Sequence, residues 1–466
     1  MNSNRSIKDL LVLLLAFCIS RVFVSLAGIE MEQNALLRYW QYLDVETLRH
    51  NLLAGVWYDH TQPPFFNLLL GIVLKLSGPA APLAFVWLLK IITLANTFLL
   101  YKLVQKQTTV AWMPLAVSLF YLLSPGTIVF EHELFYTTFI TLFFLLTCNV
   151  LLRLQTNISW KNAFLFATLL LLICFTRSMY HLAWLVVLSA AVYLMLRKRA
   201  HSSRLLVAGL AATILVSGWY YKNKVIFGSF STSTWLGMNL SRNAFHDSEI
   251  TDSTNIASLP PFQPISTYSK FITKDISRFK GLNDRDLFSE YKNDTFLNVK
   301  HAGYIEVSDL YLKSGKEHIK KKPVAFLKNV AQSAIIFFAP ATRYSVTEFQ
   351  ARKMRHYDIV YSFNLSHFAK GKQERRIAMV VSALPKILLY AAVFGWLFLQ
   401  WFSNRKLSPL QWFILLTIAY SFCLSSVFEH YENMRFRFET EPLFLLLLTQ
   451  AILSSFPKLR NHKPSP

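Results

Sequence analysis

The chain has 466 residues, 53% hydrophobic and 15% aromatic but only 16% charged, and its 48 Lys and Arg against 26 Asp and Glu give a formal net charge of +22. Globular domains carry about 25% charged residues, so this composition argues against an ordinary soluble enzyme, and its apolar content excludes an intrinsically disordered chain. On a soluble protein such a basic balance would point to nucleic acid; here it points to membrane topology and anionic partners, and no nucleic acid is expected.

Crossing a bilayer takes about 17–25 apolar residues. In chain order such runs fall at residues 7–28, 83–103, 110–130, 134–152, 162–175, 179–196, 204–221, 380–402, 409–428 and 443–456. Two shorter runs, 65–76 and 324–339, read as interfacial or re-entrant helices. The expected fold class is all-α: a polytopic membrane bundle of about ten transmembrane helices, with interfacial helices and a small external cap. Ser25-Leu26-Ala27 mimics a signal-peptide cleavage site, but the length of the first run, its internal Arg21 and the spans that follow argue for a retained anchor. Cys18, Cys148, Cys174 and Cys423 sit inside apolar runs with no CxxC spacing, as buried small hydrophobes rather than disulfide or zinc residues.

Charge then orients the chain. If the N-terminus, with Arg5 and Lys8, is cytoplasmic, then Lys102 and Lys106, Arg153 and Lys161, the basic cluster from Arg197 to Arg204, Arg405 and Lys406, and Lys458, Arg460 and Lys463 all fall on that side. Three segments result: an N-terminal transmembrane module (1–222) with an external loop at 29–82, an external or interfacial cap (223–378), and C-terminal transmembrane helices (379–466). Residues 224–378 hold 23 Lys/Arg against 14 Asp/Glu. A phosphate-bearing partner at the membrane surface would account for a basic external region; the plain alternative is that long external domains translocate regardless of charge.

The first external loop carries Trp and Tyr residues suited to the headgroup level, with Asp44 and Glu46, and then His60-Thr61-Gln62 ahead of Pro63-Pro64. There an acid/base pair could meet a lipid-borne substrate; equally, the acids could be solvated and His60 could cap the Pro-started helix. Glu131 and Glu133 stand between two strongly apolar segments, where an acid is costly unless paired or solvated. Positions two apart on a helix diverge by about 200°, so only one of these acids is expected to face a cavity. Arg21 in the first span is as much a candidate charge partner for one of them as a ligand contact, and Arg177 and His181 belong to a further external turn. In the last external turn Arg435 and Arg437 alternate with aromatic residues; they suit bidentate contact with phosphate, or form a plain juxtamembrane cluster. Glu429, His430 and Glu432 lack a recognisable ligand spacing, so no metal site is assigned and no cofactor is firmly implied, although a divalent metal stays open. No Walker-type loop, GxGxxG or GxSxG is present, which disfavours an ATP-driven pump and an α/β serine hydrolase.

Four landmarks together resemble the GT-C superfamily of polyprenyl-phosphate-sugar glycosyltransferases, in its protein O-mannosyltransferase-like and aminoarabinose-transferase-like branch. They are a first-loop acid followed by His60-x-Gln-Pro-Pro-Phe-Phe-Asn; Ser124-Pro125 with Glu131-x-Glu133-Leu-Phe-Tyr-Thr; Lys222-Asn-Lys-Val-Ile-Phe-Gly-Ser; and Arg435-Phe-Arg-Phe-x-x-Glu-Pro. The resemblance implies an inverting transfer of a monosaccharide from a polyprenyl-phosphate donor to an acceptor hydroxyl of a lipid, glycan or protein, on the extracytoplasmic face of a bacterial inner membrane or, in a eukaryote, in the endoplasmic reticulum. It implies Asp44, with Glu133 or Glu131, as the catalytic acids. The substrate-binding candidates are His60, Gln62, Arg177, His181, Lys222, Lys224, Arg435 and Arg437. Many relatives place His or Lys directly before the Pro pair, where this chain has Gln62, and Asp in the second loop, where it has Glu. The competing expectations are a transporter or flippase for a lipid-linked or anionic solute, which would show inverted repeats and broken helices, and a glycan polymerase or ligase.

Overall fold

The computed structural model describes residues 3–32, 34–246, 252–403 and 406–456, so Arg405, Lys458, Arg460 and Lys463 lie outside the described residues. The first apolar run folds as α1 (Ser3–Leu26), and the loop after it holds α2 (Ala35–Arg38), α3 (Val45–His50) and α4 (Leu52–Trp57). Pro64 opens α5 (Pro64–Ser77) at the position where a helix loses nothing by lacking an N–H. A short turn carries α5 into α6 (Ala81–Gln107). At Ser124-Pro125 the chain bends by 54° between α7 (Met113–Leu122) and α8 (Pro125–Glu131), with the Ser124 hydroxyl capping α8 by accepting from Thr127 N–H. Then come α9 (Thr137–Leu154), α10 (Trp160–Thr176), α11 (Leu182–Leu196) and α12 (Ser203–Phe227).

The cap contains α13 (Leu236–Phe245), α14 (Asp284–Phe288), an antiparallel hairpin of β1 (Tyr291–Lys292) and β2 (Phe296–Leu297), and α15 (Gly303–Lys321). It has its own core around Trp235, Met238, Tyr268, Tyr304 and Tyr311. The helices α13 and α15 approach so closely that a β-carbon on Gly237 would lie 1.8 Å from the Ser308 carbonyl oxygen. Next follow α16 (Pro323–Phe338), α17 (Glu348–Lys353), α18 (Arg355–Ser362), α19 (Lys372–Phe402), α20 (Pro409–Phe428), α21 (Asn433–Glu439) and α22 (Glu441–Ser455).

Among the described residues six helical stretches are long and apolar enough to cross a membrane, or seven if the bent pair α7–α8 is one span. The chain is thus consistent with an integral, multi-pass membrane protein. Residues 162–175, 179–196 and 443–456, expected as spans, form α10, α11 and α22 of 17, 15 and 15 residues. A 15-residue helix rises about 22 Å against a hydrocarbon core of about 30 Å, so the expected count of about ten is not reached by length alone. The run 65–76 also differs from its reading as a separate interfacial helix, because α5 and α6 form one apolar stretch, Pro64–Gln107.

Large apolar side chains cover the outside of the long helices, including Leu15, Phe23, Ile91, Ile214, Leu388 and Phe398, each more than half exposed. Water would not tolerate that surface and lipid would. Polar bonds gather at the two ends of the bundle. At one end Tyr101 donates to Asp9 (2.9 Å), Lys106 to Asn149 (2.8 Å), and Gln411 and Gln450 meet at 2.9 Å. Lys102, Arg153, Lys161 and Arg204 lie toward this end, at or near the termini of α6, α9, α10 and α12. At the other end the C-termini of α10, α12 and α20 meet the N-termini of α9, α11 and α22, and the cap covers them.

Candidate active site

A cavity of about 500 Å3 opens at the capped end, between the ends of α10, α11, α12 and α20, the helix α13 and the first loop. This volume suits a small ligand or a lipid headgroup. One part of its wall is charged, formed by Arg177, Arg242, Glu429, Glu432 and Arg435; another is apolar, with Leu182, Leu236, Leu424 and Phe428.

Helix ends aim the charged groups. Arg177 caps the C-terminus of α10, pairs with Glu439 and lies 3.9 Å over the Phe436 ring; its Nη2 has no hydrogen-bond partner among the described residues. Arg435 projects from α21, donates to Glu432 (2.9 Å) and stacks over Phe135 (4.5 Å) and Tyr344 (5.0 Å). Its Nε and Nη1 are buried without a hydrogen-bond partner among the described residues. Arg435 thus lines the cavity with two donors of its rigid guanidinium buried and without a hydrogen-bond partner among the described residues, groups that a phosphate or carboxylate would satisfy. Arg242 Nη1 lies 3.6 Å from both Glu429 and Glu432. Burial and the neighbouring Glu432 charge push the Glu429 carboxyl up. Burial also acts to raise Glu432, but Arg435 and Arg242 outweigh it and hold that carboxyl down. The two carboxyls are thus shifted in opposite directions, Glu429 toward the higher proton affinity.

Of the residues expected from the sequence, Arg435, Arg177, Gln62 and His181 line this cavity. The others do not. Asp44 is the N-cap of α3, accepting from Glu46 N–H (2.9 Å) and Arg285 (3.2 Å). Glu131 is buried in an ion pair with Arg21 (2.6 Å), the partnership anticipated for that arginine. His60 is fully buried between Thr234 Oγ1 (2.7 Å) and the Lys300 carbonyl (2.9 Å), and burial lowers its pKa to about 4. Lys222 donates to the Trp57 carbonyl (2.7 Å), and Lys224 to the Gly228 carbonyl at the end of α12 (3.1 Å). Arg437 is completely buried, spent on the Phe337 carbonyl (3.0 Å) and on Glu441. No group of three His, Cys, Asp or Glu side chains able to hold a metal occurs among the described residues.

Glu133 is buried between α8 and α9, its Oε1 4.0 Å from Arg38, and burial raises its pKa from 4.5 to about 8. An acid raised in this way holds more protons folded than unfolded between those two values. Its contribution therefore makes stability fall as pH rises from about 4.5 to about 8. Glu133→Gln should flatten that slope in thermal unfolding measured from pH 5 to 9. A slope unaffected by the substitution would contradict the buried, protonated state.

The sequence reading missed Arg242, because α13 lies in a Ser- and Asn-rich stretch; the apolar spacing of Leu236 and Leu240 was its available signal. It also missed two lysines that tie the cap to the first loop. Lys292 donates to the Tyr39 (2.7 Å) and Tyr42 carbonyls, and burial lowers its pKa to about 7. Lys300 donates to Asp59 and Thr61, both at 2.7 Å. Compared with family models, curated proteins and solved structures, the chain matches none.

Proposed function

We propose that this protein is a membrane glycosyltransferase that moves a monosaccharide, with inversion, from a polyprenyl phosphate to an acceptor hydroxyl at the capped end of the bundle. On this reading α10, α11 and α22 complete a topology of about ten spans whose capped end faces away from the cytoplasm. The observation that supports the reading is the buried Arg435 guanidinium, two of whose donors have no partner among the described residues, in the wall of a cavity that is part charged and part apolar. Such a cavity fits an amphiphile with an anionic head, the phosphate on the guanidinium groups and the prenyl chain along the apolar side.

In the reaction, the acceptor oxygen attacks the anomeric carbon. The bond from that carbon to the phosphate oxygen breaks, and the electron pair leaves with the phosphate. The acceptor proton passes to a carboxylate. Charge building on the departing phosphate is the larger demand, and Arg435 and Arg177 are positioned to meet it. For the proton, Glu429 is the better base, since it lines the cavity and has an affinity for protons near neutrality. Asp44 then acts through the loop that it caps, and Glu133 as a buried neutral acid.

The test is an assay of the purified protein in lipid with a panel of polyprenyl-phosphate sugars, scored by release of polyprenyl phosphate. Release with at least one donor is expected. Glu429→Gln should slow it by about 10²-fold or more, whereas Asp44→Asn, which keeps a capping side chain, should slow it less. The reverse order returns the base to Asp44. No release with any donor would overturn the reading in favour of a transporter.

A further inference from the structure

Among the aromatic rings that wall the same cavity beside the arginines, three in mutual contact come from separate parts of the chain. Trp40 comes from the first loop, Trp235 from the entrance to α13, and Phe262 from the cap segment Pro260-Pro261-Phe262-Gln263-Pro264. The Trp40 and Phe262 rings stack at 5.1 Å with 20° between their planes, and Trp235 meets Phe262 edge-on at 5.6 Å and 82°. Trp235 is fixed by donating from Nε1 to the Val299 carbonyl (3.1 Å). Phe262 and Trp235 are buried, while Trp40 is half-buried.

The backbone of Phe262 is strained to hold this arrangement. Its φ is +61°, in the left-handed region that costs a bulky residue of this kind about 1 kcal/mol or more. Local sequence does not require it, since neither glycine nor asparagine is present to favour it. The strain is compensated by the position it gives the ring, against Trp40 and between two prolines that restrict the chain. Phe262 and Trp235 belong to the cap's own core, and Trp40 packs against it, so Trp40 is braced from behind where it lines the cavity.

We propose that Trp40, backed by Phe262 and Trp235, is the platform on which the sugar ring of the donor rests. A pyranose has an apolar face of C–H groups that matches an aromatic plane, and hydroxyl groups at its rim that need donors and acceptors. Gln41 and Gln62, which line the same cavity, offer both in one side chain. This inference rests on the transferase reading and adds a division of labour to it: the guanidinium groups hold the phosphate and the indole holds the sugar.

The experiment measures binding to the full-length protein in nanodiscs of two probes. One is sugar-free polyprenyl phosphate, and the other is the same lipid carrying glucose, galactose or mannose. Trp40→Ala should weaken the preferred sugar-bearing lipid by about fivefold to tenfold and leave the sugar-free lipid unchanged, while Trp40→Phe should restore most of the loss. Phe262→Leu, which keeps bulk and removes the plane, should act in the same direction and guards against misfolding of the alanine variant. Equal loss on both probes, or no loss on either, would overturn the platform. Wild-type binding of the sugar-free lipid with no gain from any sugar would overturn it while sparing the phosphate site. Failure of every probe to bind would overturn both readings.

Discussion

Arg435→Ala should reduce release of polyprenyl phosphate by about 10²–10³-fold, the usual effect of removing a positioned donor from a developing oxyanion. The other two guanidinium groups of the cavity wall are more fully engaged. Arg177 is held by Glu439 and by the Phe436 ring, and Arg242 lies between Glu429 and Glu432. Among the described residues Arg435 has Glu432 as its one ion-pair partner, while Phe135 and Tyr344 fix the plane of its fork. Arg435→Lys should retain binding through charge and still lose most turnover, because an ammonium cannot supply two parallel donors from one plane. Sugar-free polyprenyl phosphate should bind Arg435→Ala at least tenfold more weakly. The alanine variant leaves Glu432 dependent on Arg242, so thermal stability must be read beside activity. Full activity in a folded Arg435→Ala protein would remove the phosphate from this cavity.

The two arginines of the last turn also mark the limit of what the sequence could tell. Read as alternating with aromatics in an extended turn, Arg435 and Arg437 looked equivalent. Once Asn433–Glu439 is a helix, positions two apart point about 200° from each other. One arginine then enters the cavity and the other reaches back to carbonyls at the end of α16. Local signals were otherwise read well. The run 409–428 is α20 to the residue, because Ser408 and Gln411 form a reciprocal capping box around Pro409 and a polar turn follows Phe428. The sequence leaves Arg21 equally a charge partner for an acid of the second loop and a ligand contact; the structure pairs it with Glu131.

Contacts made across long stretches of chain were not legible. Asp44 and Asp59 are both loop carboxylates, and nothing local distinguishes the helix cap from the ion-pair member. The basic surplus of the cap was likewise ambiguous. Two of its lysines, Lys292 and Lys300, are buried fasteners to the first loop, but the acids Asp286, Glu306 and Asp358 are buried as well, so burial does not reduce that surplus among the described residues. The short helices α10, α11 and α22 are apolar throughout, and composition cannot say whether a helix of that length crosses or stops.

Lys300→Met should destabilise the protein by about 3–5 kcal/mol, the cost of leaving a buried charge without its partner. Lys300 reaches from the cap to Asp59 (2.7 Å); Asp59 in turn accepts from the Asn67 side-chain amide (3.2 Å), and Asn67 Oδ1 accepts from Leu43 N–H (3.0 Å). The side chains of both Lys300 and Asp59 are almost wholly inaccessible to water. Burial alone would raise the Asp59 carboxyl, but Lys300 and the Thr61 donors outweigh it and hold it below its usual value of 3.8. The stabilisation from this acid is therefore fully present above that value and is lost as pH falls through the lower folded pKa, so it is constant across the neutral range. In Lys300→Met the balance reverses: an unpartnered buried carboxyl rises, and stability should fall with increasing pH where the wild-type pair contributes no slope. Adding Asp59→Asn removes the orphaned charge and should recover part of the loss, so the double variant should be more stable than Lys300→Met alone. Denaturant unfolding of wild type, Lys300→Met and the double variant at pH 5 and pH 8 tests each step. A Lys300→Met protein as stable as wild type at pH 8 would mean that the cap is held to the loop by packing alone. The positions of Trp40 and Gln41 would then not depend on this ion pair.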